Sequence, residues 1–290
     1  STAENFKVPK MLIGLTIVAF GTSAPEFAVS VSALASGSTD MVLGNVIGSC
    51  ILNILLILGV AALIRPIKIK DNTVRKEIPL CLLISILLAV LFLDVFLAGG
   101  DINQITRADA IVIFLFFTVF LYYLFSMAKQ KKEKVEDTKP QYTLGKSAML
   151  ILVGLAGIII GSQLVVDSAT NIAEVMGMSE RLIALTVIAF GTSLPELVTT
   201  IVASKKGEQD LVVGNIIGSN IFNICVVLGI PVAIFGTITP VGFQMLDIIM
   251  LVASAAMLFI FAASTKKINR VEGIIMLATF AVYYGVIMLV

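Results

Sequence analysis

The sequence predicts an all-α polytopic membrane protein made of two related halves in inverted topology. Three observations predict it: too little charge for a water-facing surface, nine apolar segments of spanning length, and a pair of motifs that occurs twice at one offset. Of 290 residues, 58% are hydrophobic and only 13% are charged. A water-soluble domain carries about 25% charged residues, so the lipid bilayer is the first partner implied.

A membrane span takes about 20 mainly apolar residues, and it must be helical because lipid offers no partners to backbone N–H and C=O groups. Nine segments qualify, at roughly 11–34, 42–64, 77–98, 108–128, 145–166, 182–203, 212–235, 242–263 and 270–290. Residues 1–10 are polar and the first apolar run already has full length, so it reads as a span and not as a secretory leader. Eighteen of the 20 Lys and Arg residues fall on the side of residues 1–10, from Lys7 and Lys10 through the loop of Arg65 to Lys76 and on to Arg270. The opposite loops hold only Arg107 and Arg181. Positive charge marks the cytoplasmic side, which places the C-terminus outside a cell (plasma or inner) membrane. Lys129 to Gln141 is the longest hydrophilic run, a solvated cytoplasmic linker (129–144) between a first repeat (1–128) and a second (145–290).

The repeat lies at an offset of 170. Ile13 to Glu26 reads IGLTIVAFGTSAPE, and Ile183 to Glu196 reads IALTVIAFGTSLPE, with ten of fourteen positions identical. Gly44 to Gly59 reads GNVIGSCILNILLILG, and Gly214 to Gly229 reads GNIIGSNIFNICVVLG, with ten of sixteen identical at the same offset. Five spans separate the copies, and five is odd, so the halves run antiparallel. Inverted repeats of this kind are an architecture of secondary transporters, whose substrate site lies near the midplane where the halves meet. A duplicated packing module would explain the small residues but not a glutamate in mid-membrane.

Glu26 and Glu196 sit about sixteen residues into their spans, a depth at which an ionisable group marks an ion or substrate path. Pro25 and Pro195 lack N–H groups and break the helix one turn earlier, at Gly-Thr-Ser. A broken helix brings backbone carbonyls, hydroxyls and a carboxylate together. The second motif adds Ser49 with Asn53, and Ser219 with Asn223, each pair i to i+4 on one helix face. Any single hydroxyl in a membrane helix usually bonds back to its own carbonyls; its duplication beside a glutamate is what argues for more. The pooled set is all oxygen, suited to hard cations such as Ca²⁺ and Na⁺ and poorly suited to Zn²⁺ or Cu²⁺.

Other features restrict the reading. There is no His, which removes the commonest general base and transition-metal ligand, and every Lys lies in a loop or at a helix end. An intramembrane hydrolase would need a nucleophile with a base in reach, so the chain is read as a non-enzyme with no cofactor and no nucleic-acid partner. Cys50, Cys81 and Cys225 lie in apolar runs and read as core residues. Asp94, Asp167 and Asp247 lie near outer helix ends and read as solvated. Asp109 and Glu272 open their helices, where the helix dipole favours an acid.

These motifs resemble the paired α-repeats of the calcium/cation antiporter superfamily, closest to its sodium/calcium exchanger branches. The resemblance covers most of the chain. It implies ten helices, a four-site cation cluster, alternating access by sliding of the first helix of each half, and exchange of Na⁺ for Ca²⁺. Carried over by position, the ligands are Glu26, Glu196, Thr22, Thr192, Ser23, Ser193, Ser49, Ser219, Asn53 and Asn223, with the carbonyls of Ala19 and Ala189. Relatives often have Asp in the slot of Asn223. Asn there leaves two central carboxylates and speaks against potassium dependence. The alternative is a proton/calcium antiporter of the same fold, and an uncoupled cation channel is a further rival. At offset 170 the helix at 145–166 has no counterpart after residue 1, so matched halves lead us to expect one further span before Ser1.

Overall fold

A computed structural model describes residues 9–129 and 143–289. The polar stretch holding Lys7, most of the linker and the span expected before Ser1 lie outside the described residues. The chain is almost wholly helical. Helices α1 (Lys10–Thr22) and α2 (Ala24–Ala35) form one bent pair with an angle of 43°; α8 (Glu180–Thr192) and α9 (Leu194–Lys206) form another with 44°. Between and after them come α3 (Thr39–Ile64), α4 (Ile78–Phe92), α5 (Asp94–Ala98), α6 (Arg107–Lys129), α7 (Leu144–Val175), α10 (Gln209–Phe235), α11 (Met245–Thr265) and α12 (Arg270–Leu289). By length and composition, five helices among the described residues can cross a membrane, or seven when each bent pair is one span.

The third predicted segment, 77–98, is not one helix. It breaks at Leu93 (φ −91°, ψ 43°), and a short helix then ends at Gly99 in the left-handed region. Asp94 begins that helix, and its carboxylate accepts the Gln104 N–H at 3.3 Å.

α3 and α10 form the centre. Their most apolar windows are 78% and 83% buried, against 22–39% for α6, α11 and α12. Each takes a bent helix of the opposite half: α1 packs on α10, and α8 packs on α3. Glycines permit the approach. A Cβ on Gly48 would lie 2.7 Å from the Ala189 Cβ, and one on Gly218 would lie 2.7 Å from the Ala19 Cβ. Small residues let membrane helices pack backbone to backbone, so the Gly-x-x-x-Gly spacing of 44/48 and 214/218 sets how closely the bent helices approach. α6 covers the C-terminal part of α10 as α12 covers that of α3, α4 packs on α11, and α7 lies along the second bent pair and reaches the first.

Four π-helical turns interrupt these helices at matching positions: Gly14–Val18 and Ala184–Ile188, Asn53–Leu58 and Asn223–Leu228. A π-turn inserts one residue and re-aims the helix face beyond it, often at a functional site.

The loops gather into two groups. In one, β1 (Ile67–Lys68) pairs antiparallel with β2 (Lys267–Ile268), and ion pairs join Lys10 to Glu208 (2.7 Å), Lys70 to Asp210 (2.9 Å) and Lys266 to Asp71 (2.6 Å). The Lys266 ammonium holds the exposed Asp71 carboxyl below the usual carboxylate range. In the other group, Asp40 accepts the Gly242 N–H, and Ile105 bridges to Ile238. Asp247, expected to be solvated, belongs to this second group and is fully buried. Arg181 grips it through two hydrogen bonds of 2.9 Å, and the Tyr283 hydroxyl adds a third of 2.9 Å. A counter-charge on the neighbouring helix end thus replaces water.

Candidate functional site

All twelve residues that the resemblance implies as ligands are buried, none with more than 1% of its surface exposed. The bend supplies the first part of the site. Ser23 (φ −84°, ψ 10°) and Ser193 (φ −82°, ψ 5°) leave helical geometry, and Pro25 and Pro195 stand in the first turn of the next helix. A proline in that turn has no N–H to lose, so the helix restarts there. Glu26 and Glu196 follow immediately, in the positive-dipole first turn that favours a carboxylate.

The hydroxyls cross between halves. Ser23 Oγ donates to Glu196 Oε1 at 2.9 Å, and Ser193 Oγ donates to Glu26 Oε1 at 3.1 Å. Ser219 Oγ reaches Glu196 Oε1 as well, at 3.2 Å. Thr22 and Thr192 reach across as well: Thr22 Oγ1 lies 3.3 Å from Asn215 Oδ1, and Thr192 Oγ1 lies 3.2 Å from Asn45 Oδ1. The Ala19 and Ala189 carbonyls accept the Ser23 and Ser193 N–H groups at 3.0 and 3.1 Å. Each also accepts a threonine hydroxyl at 3.4 Å, Ala19 from Thr22 and Ala189 from Thr192. Ser49 and Asn223 lie at the matching helical positions, but no side-chain hydrogen bond joins either to the carboxylates among the described residues.

Unpartnered atoms concentrate here. Among the described residues, seven buried side-chain polar atoms have no hydrogen-bond partner. Six are Glu26 Oε2, Glu196 Oε2, Ser49 Oγ, Asn53 Oδ1 and both amide atoms of Asn223; the seventh is Glu77 Oε2. An unsatisfied buried polar group costs about 1–3 kcal/mol, and folded proteins hold few of them. Five of these six atoms are oxygens, two of them on carboxylates, a donor set that fits a hard cation bound as cargo.

Sequence reasoning missed the residues that brace this set. Asn45 Nδ2 donates to the Glu26 carbonyl (2.9 Å) and to Ser30 Oγ (3.0 Å). Asn215, its copy, donates to Thr200 Oγ1 (3.1 Å) and Thr199 Oγ1 (3.2 Å). Each Asn thereby ties the helix carrying one glutamate to a threonine of the other bent pair. The signal was present, because both Asn residues are identical in the repeat.

Comparison with known proteins bears on the family and the fold. The family model described as "Sodium/calcium exchanger protein" matches residues 1–126 and 146–289. A putative antiporter, CaxA, of Alkalimonas amylolytica is 40% identical over 293 residues, covering 98% of this chain and 89% of that protein. Inner membrane protein YrbG of Escherichia coli is 36% identical over 294 residues, covering 98% and 88%. The solved structure of the sodium-calcium exchanger NCX_Mj superimposes with a TM-score of 0.80 at 33% identity, covering 99% of this chain and 89% of that one.

Proposed function

This chain belongs to the sodium/calcium exchanger protein family and is a multi-pass membrane antiporter of cations; on that premise we propose that it exchanges Na⁺ for Ca²⁺ at one midplane site built by two inverted repeats. The observation that carries the proposal is that five unpartnered buried oxygens fall on the candidate ligands, one on each of Glu26 and Glu196. Two ionised carboxylates balance one Ca²⁺ or two Na⁺. In a low-dielectric interior a bare pair of like charges is costly, so the site favours states in which cargo neutralises it. Competition for the same oxygens, with only neutralised states crossing, yields exchange without a second site.

Glu26, Glu196, Ser23, Ser193, Ser49, Ser219, Asn53, Asn223, Thr22, Thr192 and the Ala19 and Ala189 carbonyls are the ligands in this reading. The first repeat is 1–128 and the second 145–290, joined by a cytoplasmic linker at 129–144. The crossed contacts between halves and the π-turns at one offset support the duplication. The sorting of loops into two groups supports alternation, with the Lys-rich group cytoplasmic and the C-terminus outside.

The choice of driving ion is testable in proteoliposomes. An imposed Na⁺ gradient should drive ⁴⁵Ca²⁺ uptake while a pH gradient of equal size does not. Uptake that follows the pH gradient instead would make the chain a proton/calcium antiporter.

A further inference from the structure

The second motif of the two halves differs at one position of chemical consequence: Cys50 in GSCILN stands where the other half has Asn220 in GSNIFN. Asn220 is buried, and its Nδ2 donates to the Cys50 carbonyl at 3.1 Å. Asn53 Nδ2 donates in turn to Asn220 Oδ1 at 3.0 Å. The order of these bonds is forced by the first acceptor. A backbone carbonyl can only accept, so Asn220 must turn its NH₂ toward Cys50 and its oxygen toward Asn53. That oxygen can also only accept, so Asn53 must present its NH₂. The Asn53 oxygen is left over, buried and without a partner.

The other half has no such relay. Cys50 has no amide, and its thiol lies 3.8 Å from the Asn220 main-chain carbonyl. Accordingly both amide atoms of Asn223 are buried and unpartnered.

We propose that Asn220 is a positioning residue, which holds the Asn53 carboxamide with its oxygen available to the transported cation, while the Asn223 carboxamide is left free to turn. This rests on reading Asn53 as a cation ligand. An amide that turns its NH₂ to a cation repels it, so a braced amide is a permanent oxygen donor and an unbraced one must be oriented at each binding event. The two halves, alike in their carboxylates, then differ in how rigidly they present the neutral oxygen.

The test is equilibrium ⁴⁵Ca²⁺ binding to the purified full chain in detergent, with melting temperature without Ca²⁺ as the control for folding. The variants are Asn53→Ala, Asn220→Ala, the two combined, and the exchange Cys50→Asn with Asn220→Cys. Asn220→Ala should weaken Ca²⁺ binding roughly 10- to 100-fold, the range for losing an outer partner of a metal ligand. The double variant should bind no worse than Asn53→Ala alone, because Asn220 acts through Asn53. The exchange should regain most of the lost affinity by bracing Asn223 instead, and Asn223→Ala should then cost more than it does in the wild-type background. Unchanged binding by Asn220→Ala, additive losses in the double variant, or an exchange that folds and regains nothing would overturn the positioning role while leaving Asn53 as a ligand. Wild-type binding by Asn53→Ala would instead remove the ligand assignment, and the positioning role with it.

Discussion

Ser23 on the first bent helix donates a 2.9 Å hydrogen bond to Glu196 on the second, and Ser193 returns the contact to Glu26 at 3.1 Å. Neither carboxylate is therefore organised by its own half alone. Each serine fixes one carboxylate oxygen and leaves the other unpartnered. A hydrogen bond to a charged group is worth about 1.5–3 kcal/mol. Ser23→Ala and Ser193→Ala should each weaken Ca²⁺ binding by roughly 10- to 100-fold, read by titration of the purified protein. Wild-type affinity in both variants would show that the crossed bonds do not orient the site.

Asn45 touches the Glu26 carbonyl, Ser30 and Thr192 without being a proposed ligand. Asn45→Ala strands several buried groups, each costing about 1–3 kcal/mol. Its melting temperature should fall by several degrees even without cations, and exchange should slow. A variant that melts and transports like the wild type would exclude a bracing role.

The glycine contacts predict a steric result. Gly48→Ala and Gly218→Ala place a methyl group 2.7 Å from the methyl group of Ala189 or Ala19. Overpacking of this kind costs about 1–3 kcal/mol, and it pushes a bent helix away from its central helix. Both variants should lose thermal stability and flux. Gly154→Ala, with nothing within 4 Å of the added atom, should be neutral. Similar melting curves for all three would show that close approach does not set the helix positions.

Arg181 and Asp247 are 7% and 0% exposed. Breaking a buried pair costs about 3–5 kcal/mol, because one charge is left unpaired, whereas replacing both by apolar residues is often neutral. Arg181→Leu should therefore destabilise more than Arg181→Leu with Asp247→Leu. A double variant less stable than the single one would mean that the pair itself is net stabilising.

Much of the fold and site is legible in the sequence, for a physical reason. Burying Glu26 and Glu196 in an apolar helix is costly, so the pair stands out, and duplication at one offset marks the oxygens around it. Pro25 and Pro195 announce the bends through their missing N–H groups. What was not legible depends on neighbours. Asp247 sits close enough to a helix end to pass for a solvated acid, and only packing against Arg181 and Tyr283 reveals a buried one. Asn220 departs from the repeat, so a search for identity passes over it. The π-turns leave no residue signature, and neither does the break at Leu93.

Na⁺ and Ca²⁺ compete, in this reading, for one site shared by Glu26 and Glu196. The competition is tested most directly by equilibrium ⁴⁵Ca²⁺ binding at increasing Na⁺, for the wild type, Glu26→Gln and Glu196→Gln, each first shown to be folded by its melting curve. The wild type should bind a single Ca²⁺ per chain, displaced by Na⁺ with a steepness greater than one, and neither variant should bind Ca²⁺ measurably. Near-normal Ca²⁺ binding in either glutamine variant, or binding insensitive to Na⁺, would contradict it.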